Sequence, residues 1–465
     1  MSANDSHLST TGFDVVVAAT QGSINATMKT YLAKVTQPEV IICYVANAQG
    51  VATPIDYSIL KSYAKGSDPF SVPAGADPAI NPDLQNLFAA RFLFGIKASI
   101  GMPPGYTQTT APNIVTLGAS TSSVGYTLMC SEFNLVQYTP ASGYGPASWM
   151  NQSQPDGNAW LFTSQVNLSL TSMDFTCLPS DVKANIKNLG GYAFSVQQLL
   201  FDLNNAALES VPQITGVVAG TSLYSALEND FVGAYFTTMQ KNGAPVLGYT
   251  VTQSDAPPST LPLTDLNFWS APYVGTNGQP ITGLTKSQQS AFTLNYLCST
   301  NGDTLPAPQG FGWNWVDESQ ETTFDGVVAI NRNTFANYFR NQLNSYVARN
   351  CYQTWVRVNM DGLDVDYHWS ATPGQTPVCA TPATGPTVLS YSYNSYANDT
   401  AGLGGDMGQM TLSSLFNLDV TFAGNVVTIT QHLVIYTYIK VLATGDGANV
   451  VDVTVTDTFT IAPNA

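Results

Sequence analysis

Charge is scarce in this chain. Of 465 residues only 10% are Asp, Glu, Lys or Arg, and 15 basic side chains face 31 acidic ones, a formal net charge of −16. Phosphate backbones are bound by clustered Lys and Arg that release counterions. The sequence has no such cluster, so no nucleic-acid partner is expected, and charge alone would not hold the chain on anionic membranes. Histidine occurs three times, at His7, His368 and His432, which leaves few candidates for Ser-His-Asp chemistry. Neither a GxSxG elbow nor an HExxH motif occurs. The six cysteines (Cys43, Cys130, Cys177, Cys298, Cys351, Cys379) form no CxxC or Cys/His cluster, so no zinc site is expected. Free thiols are the default reading, with Cys43 a small buried hydrophobe inside the apolar run 40–45. No apolar run approaches the roughly 20 residues that span a bilayer, so no transmembrane segment is expected. The opening Met-Ser-Ala-Asn-Asp-Ser-His lacks the basic and apolar regions of a signal peptide. The expected location is cytoplasmic, or outside the cell by a route without a classical signal. Five glycosylation-type sequons (Asn4, Asn25, Asn151, Asn167, Asn398) read as accidents of an Asn- and Thr-rich composition.

What remains is 44% hydrophobic, with polarity supplied mainly by Ser, Thr, Asn, Gln and Gly. Such a chain reads as globular and strand-dominated, long enough for two or three domains. Its most informative feature is a repeat. Phe13-Asp14-Val15-Val16-Val17-Ala18 leads through a polar turn into a helix carrying Ile24, Met28, Leu32 and Val35. Phe324-Asp325-Gly326-Val327-Val328-Ala329 leads in the same way into a helix carrying Phe335, Phe339, Leu343 and Tyr346, every position at one constant offset. In the first copy Tyr31 shares the apolar stripe, and the spacing predicts a helix over 23–35.

Strand character follows at 39–45, 114–117, 126–138 and 160–177; in the last of these Val166, Leu168 and Leu170 alternate with polar residues. A second helix is predicted over 195–209, with Ser195 and Gln198 as a capping box and Val196, Leu199, Leu200, Leu203 and Ala207 as its stripe. A third amphipathic stretch covers 226–241, and 253–262 reads as a linker or exposed crossover. Near the C-terminus Leu418, Val420 and Phe422 alternate up to a turn at 423–425, and 426–442 reads as one unbroken strand. A second turn is expected at Gly445-Asp446-Gly447, before a partner strand with Val451, Val453, Val455, Phe459 and Ile461 on its apolar face. At about 3.3 Å per residue such strands run to about 55 Å, and strands that long twist and coil. A helix laid along the sheet would fill its concave side.

Repeated helix-and-strand units of this kind resemble the tubular lipid-binding (TULIP) superfamily. The nearer resemblance is to the OrfX-group TULIP proteins encoded beside botulinum neurotoxin. It is carried by residues 12–18 with the following helix, by 194–204, by Tyr235-Phe236 with 242–249, and by Phe311-Gly312-Trp313-Asn314-Trp315 with the second repeated helix. These stretches spread over roughly residues 12–350 and are scaffold, with no catalytic signature. The resemblance implies an α+β fold of elongated TULIP-like architecture. Its two pseudo-repeated modules would be residues 1–305, with additional helices and a linker, and 306–465. Each would have a long helix wrapped by a highly curved antiparallel sheet. It further implies a pocket for lipid or another hydrophobic small molecule, and protein partners in a toxin-like or insecticidal complex.

The lining candidates are Ile24, Met28, Tyr31, Leu32 and Val35 in one unit and Phe335, Phe339, Leu343 and Tyr346 in the other. The same stripes also serve as plain core against their sheets, and an expanded core reconciles the two roles. No catalytic residue and no cofactor is expected. Asp364, Asp366 and His368, on one face of a strand beside Asp361, are the weak candidates for a metal or for acid-base work, weighed against an ordinary solvated face. Trp313, Trp315, Trp355 and Trp369 are expected to pack a junction between domains, and 402–408 to form a loop without the Lys-Ser/Thr of a nucleotide site. Three functions stand open: a hydrophobic-ligand binder, a structural or partner-binding component with a filled core, and a cofactor-free isomerase or cyclase.

Overall fold

A computed structural model describes residues 8–118, 120, 122–143, 145–173, 183, 194–242, 246–253 and 261–461. Strand β1 (Val15–Thr20) runs directly into helix α1 (Gln21–Lys34), followed by β2 (Glu39–Ala46), β3 (Ala52–Ile55), α2 (Tyr57–Tyr63), α3 (Pro82–Ala89) and β4 (Phe92–Ile100). Next come β5 (Val115–Thr116), β6 (Ser123–Leu128), β7 (Cys130–Thr139), β8 (Ser148–Ser153), β9 (Phe162–Met173) and β10 (Phe194–Ser210). Helix α4 (Ser222–Ala226), a π-helical turn (Leu227–Phe231) and α5 (Val232–Lys241) follow, then β11 (Val246–Gln253), β12 (Leu263–Ala271), α6 (Lys286–Ser290) and β13 (Thr293–Thr300). The last part holds β14 (Gly326–Ile330), α7 (Arg332–Asn350), β15 (Gln353–Asp361), β16 (Asp364–Thr372), β17 (Val378–Ala380), β18 (Thr387–Ala401), β19 (Gly408–Ala423), β20 (Val426–Val441) and β21 (Thr444–Thr460).

The class is mixed α+β, and the strand pairings among the described residues are antiparallel. Three open sheets have five strands each, ordered β3-β2-β4-β7-β8, β11-β10-β9-β6-β5 and β17-β18-β19-β20-β21. A four-stranded sheet, β12-β13-β1-β14, takes strands from both sides of the expected 305/306 boundary, and β15-β16 is a separate hairpin.

The two repeated strands, β1 and β14, pair with each other. Val17 faces Val328, its own counterpart in the repeat, and on either side Val15 faces Ile330 and Ala19 faces Gly326. The pairing is thus centred on equivalent residues, and α1 and α7 leave from its opposite ends. Their caps interlock with the same reciprocity. The Thr20 N–H donates to the Asp325 carbonyl at 2.9 Å, and the Asn331 N–H donates to the Asp14 carbonyl at 2.7 Å. Thr20 then caps α1 by accepting from the Ser23 N–H, and Asn331 caps α7 by accepting from the Asn333 N–H. Both are residue types that stabilise a helix start. The Ser23 hydroxyl donates to the Asp325 carbonyl and the Thr334 hydroxyl to the Asp14 carboxylate. Each helix is therefore started by the strand of the other unit.

The symmetry is incomplete where packing differs. Phe13 is wholly buried against Phe311, whereas its counterpart Phe324 is half exposed. Gly326 stands where the first copy has Val15, because a Cβ there would collide with the Ala18 carbonyl. Asp14 is buried and its carboxylate also accepts from the Thr300 N–H at 2.8 Å and the Thr300 hydroxyl at 3.1 Å.

Two sequence expectations are corrected. Residues 195–209 form β10, not a helix: Val196 through Asp202 pair with β9, and Phe194 through Leu200 with β11. A cluster of apolar residues this dense fits both periods, and a ladder on each side decided for the strand. The turn expected at Gly445-Asp446-Gly447 lies earlier, at Leu442-Ala443. Gly445 and Gly447 are strand residues lying beneath the Tyr438 and Tyr436 rings, where a Cβ would strike each hydroxyl. The stretch 126–138 is split into β6 and β7, and 226–241 belongs to a helical run that begins at Ser222. Most of the expected linker 253–262, and Cys177, lie outside the described residues.

The five described cysteines are free. Burial pushes the Cys43 and Cys298 thiols up to about 12 and Cys351 up to about 11. Trp313 and Trp315 pack with Phe311 on the four-stranded sheet, while Trp355 and Trp369 stand exposed on β15-β16.

Removing three donors' shared acceptor leaves those donors unsatisfied, so Asp14→Ala should lower stability by about 3 kcal/mol in urea unfolding. Gly326→Val should destabilise as clearly, although valine is the residue at the equivalent position 15. Wild-type stability in either variant would show that the pairing of the two repeats is not what holds the units together.

Candidate functional site: an open apolar face beside α7

The two stripes singled out in the sequence fare differently. In α1, Ile24, Met28 and Leu32 are buried among Val40, Phe94, Val124 and Phe292, and Tyr31 and Val35 are half-buried. Burial also raises the Tyr31 hydroxyl pKa. The helix is fastened through side chains the sequence reading passed over. Asn25 is buried, its carbonyl oxygen accepting from the Ile114 and Val115 N–H groups at 2.7 and 2.9 Å, and its amide donating to the Val115 carbonyl. Gln21 accepts from the Leu117 N–H at 2.6 Å. These amides replace a missing neighbour strand along β5. The signal was the sequon itself, an Asn in the first turns of a helix with no apolar reason to be there. A buried, four-way-bonded Asn25 is no glycosylation acceptor.

Helix α7 sits on one face of β18 and β19. Phe335 is buried, edge-on to Phe339 at 4.8 Å and against Phe422 at 5.0 Å. Val347 and Cys351 complete the contact, and Tyr391 donates to Asn344 at 2.7 Å. Along the same stripe the cover thins toward β20: Phe339 and Leu343 are half-buried against this cluster and Tyr346 is exposed, its hydroxyl donating to Gln431 of β20 at 2.5 Å.

The register shows where that thinning cover leads. Tyr393, Phe416, Leu433 and Val453 lie directly opposite one another across β18, β19, β20 and β21, so all four project from the α7 side of the sheet. Along this row burial falls from complete at Phe416, through partial at Leu433, to 50% exposure at Val453. Val455 and Phe459 continue the same face on β21, with Asp457 between them and Val427, Ile429 and Ile435 behind. The α7 helix therefore covers only part of this apolar face. Full burial of an aliphatic or aromatic side chain is worth about 1.5–3 kcal/mol, and Val453, Val455 and Phe459, each about half exposed, would gain roughly half of that if covered. β21 is also an edge strand of 17 residues without Pro, Lys or Arg, protected by Asp446, Asp452 and Asp457 and by one bulge in its pairing with β20.

The reverse face is polar. Thr428, Thr430, Thr454 and Thr456 line it, with His432 bonded to Asp452 at 2.9 Å, which lowers the Asp452 carboxyl pKa. A shallow depression of about 330 Å³ there is lined by Asn394, Tyr396, Ser413, Leu415 and Val434 among others, none of them a predicted site residue. Asp364, Asp366 and His368 are exposed on β16 opposite Asp361, Asn359 and Arg357. Among the described residues no three His, Cys, Asp or Glu side chains are grouped to hold a metal ion, and no helix is long and apolar enough to cross a membrane. The two apolar stripes belong to separate clusters and are not brought into one pocket.

No family model and no curated protein matches the sequence. Among solved structures, that of P47 from Clostridium botulinum A2 is similar over 95% of this chain and 81% of that one, at 9% identity and a TM-score of 0.37. A likeness that loose fixes neither fold nor function.

The contrast between the two helices has a measurable consequence. Met28→Ala opens a cavity in a closed core and should cost about 2–5 kcal/mol. Val453→Asp, on the open face, should change stability by less than about 0.5 kcal/mol while sharply reducing binding of an environment-sensitive apolar dye. Equal stability losses would mean that the β20-β21 face is covered in solution.

Proposed function

We propose that this chain is a non-enzymatic binder of lipid or another hydrophobic molecule, held between α7 and the β20-β21 half of the C-terminal sheet. The observation that carries the reading is the gradient of burial across one continuous apolar face, open where the predicted lining residues Phe339, Leu343 and Tyr346 end. An acyl chain fits such a surface because it asks for apolar burial, about 0.8 kcal/mol per CH₂, and no charged partner. The α1 unit, whose stripe is closed within its core, acts in this reading as scaffold. The division into helix-on-sheet modules at 1–305 and 306–465, of the TULIP kind, belongs to the same proposal.

A second reading is favoured by the closed core around α1 and the long free edge of β21: a partner-binding accessory of a toxin-like complex, as the resemblance to the OrfX group implies. The two separate by experiment. Native mass spectrometry of the purified chain should reveal co-purified lipid, and fluorescent fatty acid should be taken up by wild type but about tenfold more weakly by Val453→Asp. Absence of both lipid and uptake would sink the carrier reading and leave the accessory one.

A further inference from the structure

The geometry points to a bilayer-docking pole at the far end of the C-terminal sheet, where three adjoining hairpin turns present Leu363, Leu403 and Leu442 to an electrically neutral lipid surface. The convergence of the turns follows from register. Ala401, the last residue of β18, lies opposite Gly408 of β19, which lies opposite Val441 of β20. Turns 402–407 and 442–443 thus share one end of the sheet, and the Leu442 N–H donates to the Met407 carbonyl at 2.9 Å. The β15-β16 hairpin lies along the α7 side of the same strands and points the same way. At its base Ser414 donates to the Tyr352 carbonyl at 2.6 Å; farther along, the Val358 N–H donates to Asp399 at 2.9 Å and Tyr367 to the Lys440 carbonyl at 2.6 Å. Its turn, Gly362-Leu363, therefore projects past Gly408 toward the other two. The opposite end of the sheet, by contrast, is where Phe335 packs on Phe422.

Turn tips of a soluble sheet are ordinarily polar, with Gly, Asn or Asp where φ is positive. Here Leu363 is 88% exposed, Leu403 93% and Leu442 55%. Leu442 even occupies a left-handed backbone conformation, φ +52°, that a branched side chain adopts at a cost and a glycine would not. Three leucines at three tips, one of them against conformational preference, serve nothing inside the fold. Inserted among acyl chains, they would regain the burial they lack.

Charge selects the surface. Asp361, Asp364, Asp406 and Asp446 surround the tips, and the neighbouring cation, Lys440, donates to the Gly405 carbonyl at 3.5 Å. An acidic rim is repelled by anionic headgroups and tolerated by zwitterionic ones. Ile439 and Val441 lead along β20 from the open face to this end, so the pole would set the ligand face against the membrane; it rests on the lipid-binding reading in that respect.

The test is flotation of the full chain with vesicles of pure phosphatidylcholine. Wild type should float, and Leu363→Ser/Leu403→Ser/Leu442→Gly should bind at least about tenfold more weakly, with fluorescent fatty-acid uptake unchanged. Should the triple variant misfold, Leu403→Ser and Leu363→Ser singly should each weaken flotation about threefold. Vesicles enriched in phosphatidylserine should bind the wild type less well. Failure of wild type to float, flotation of the folded triple variant as strong as wild type, or tighter binding to the anionic vesicles would overturn the docking pole. Fatty-acid uptake without flotation would leave the carrier reading intact, and loss of uptake alone would strike only that reading.

Discussion

The structure depends on one reciprocal contact, the pairing of β1 with β14 and the exchange of helix caps that goes with it. A short strand and a helix start each leave backbone groups unpaired. Here each unit supplies what the other lacks: Asp325 receives the Thr20 N–H, and Asp14 receives the Asn331 N–H. Neither helix is begun by its own strand alone. The contact is local in space and more than three hundred residues apart in sequence, so it also fixes where the C-terminal sheet can lie relative to the first helix.

From that shared hinge the two units diverge by what they lay on their helices. Around α1 the strands β2, β4, β6, β7 and β9 close a core that leaves Met28 and Leu32 inaccessible. Around α7, which packs on β18 and β19, the sheet extends sideways beyond the helix, so β20 and β21 carry apolar residues past the last helix contact. The width of the sheet beyond its helix thus separates the open face from the closed one, with the same repeated element beneath both.

Much of this was legible in the sequence, for physical reasons. The repeat, both helices and the long C-terminal strands announce themselves because one face of each is buried and the period is kept. The mixed α+β class follows from them. Residues 195–209 misled because Leu199, Leu200 and Phe201 are consecutive, and consecutive apolar residues carry no period. The turn at 442–443 was hidden because Leu442 and Ala443 are not turn residues, while Gly445 and Gly447, which are, serve to admit tyrosine rings. Of the predicted lining residues, Phe339, Leu343 and Tyr346 border the open face, whereas Phe335 and most of the α1 set are buried. The β21 residues complete that face, and their exposure was invisible because alternation reports a shared side, not what covers it. That β1 pairs with β14 at equivalent residues was also out of reach, since register between distant strands leaves no local mark.

The most direct measurement is photo-cross-linking with a diazirine-bearing fatty acid, followed by mapping of the labelled residues. Adducts are expected on α7 between Phe339 and Tyr346 and on β20 and β21, with α1 unlabelled. Labelling confined to the α1 core, or none competed by unlabelled fatty acid, would contradict a ligand face beside α7.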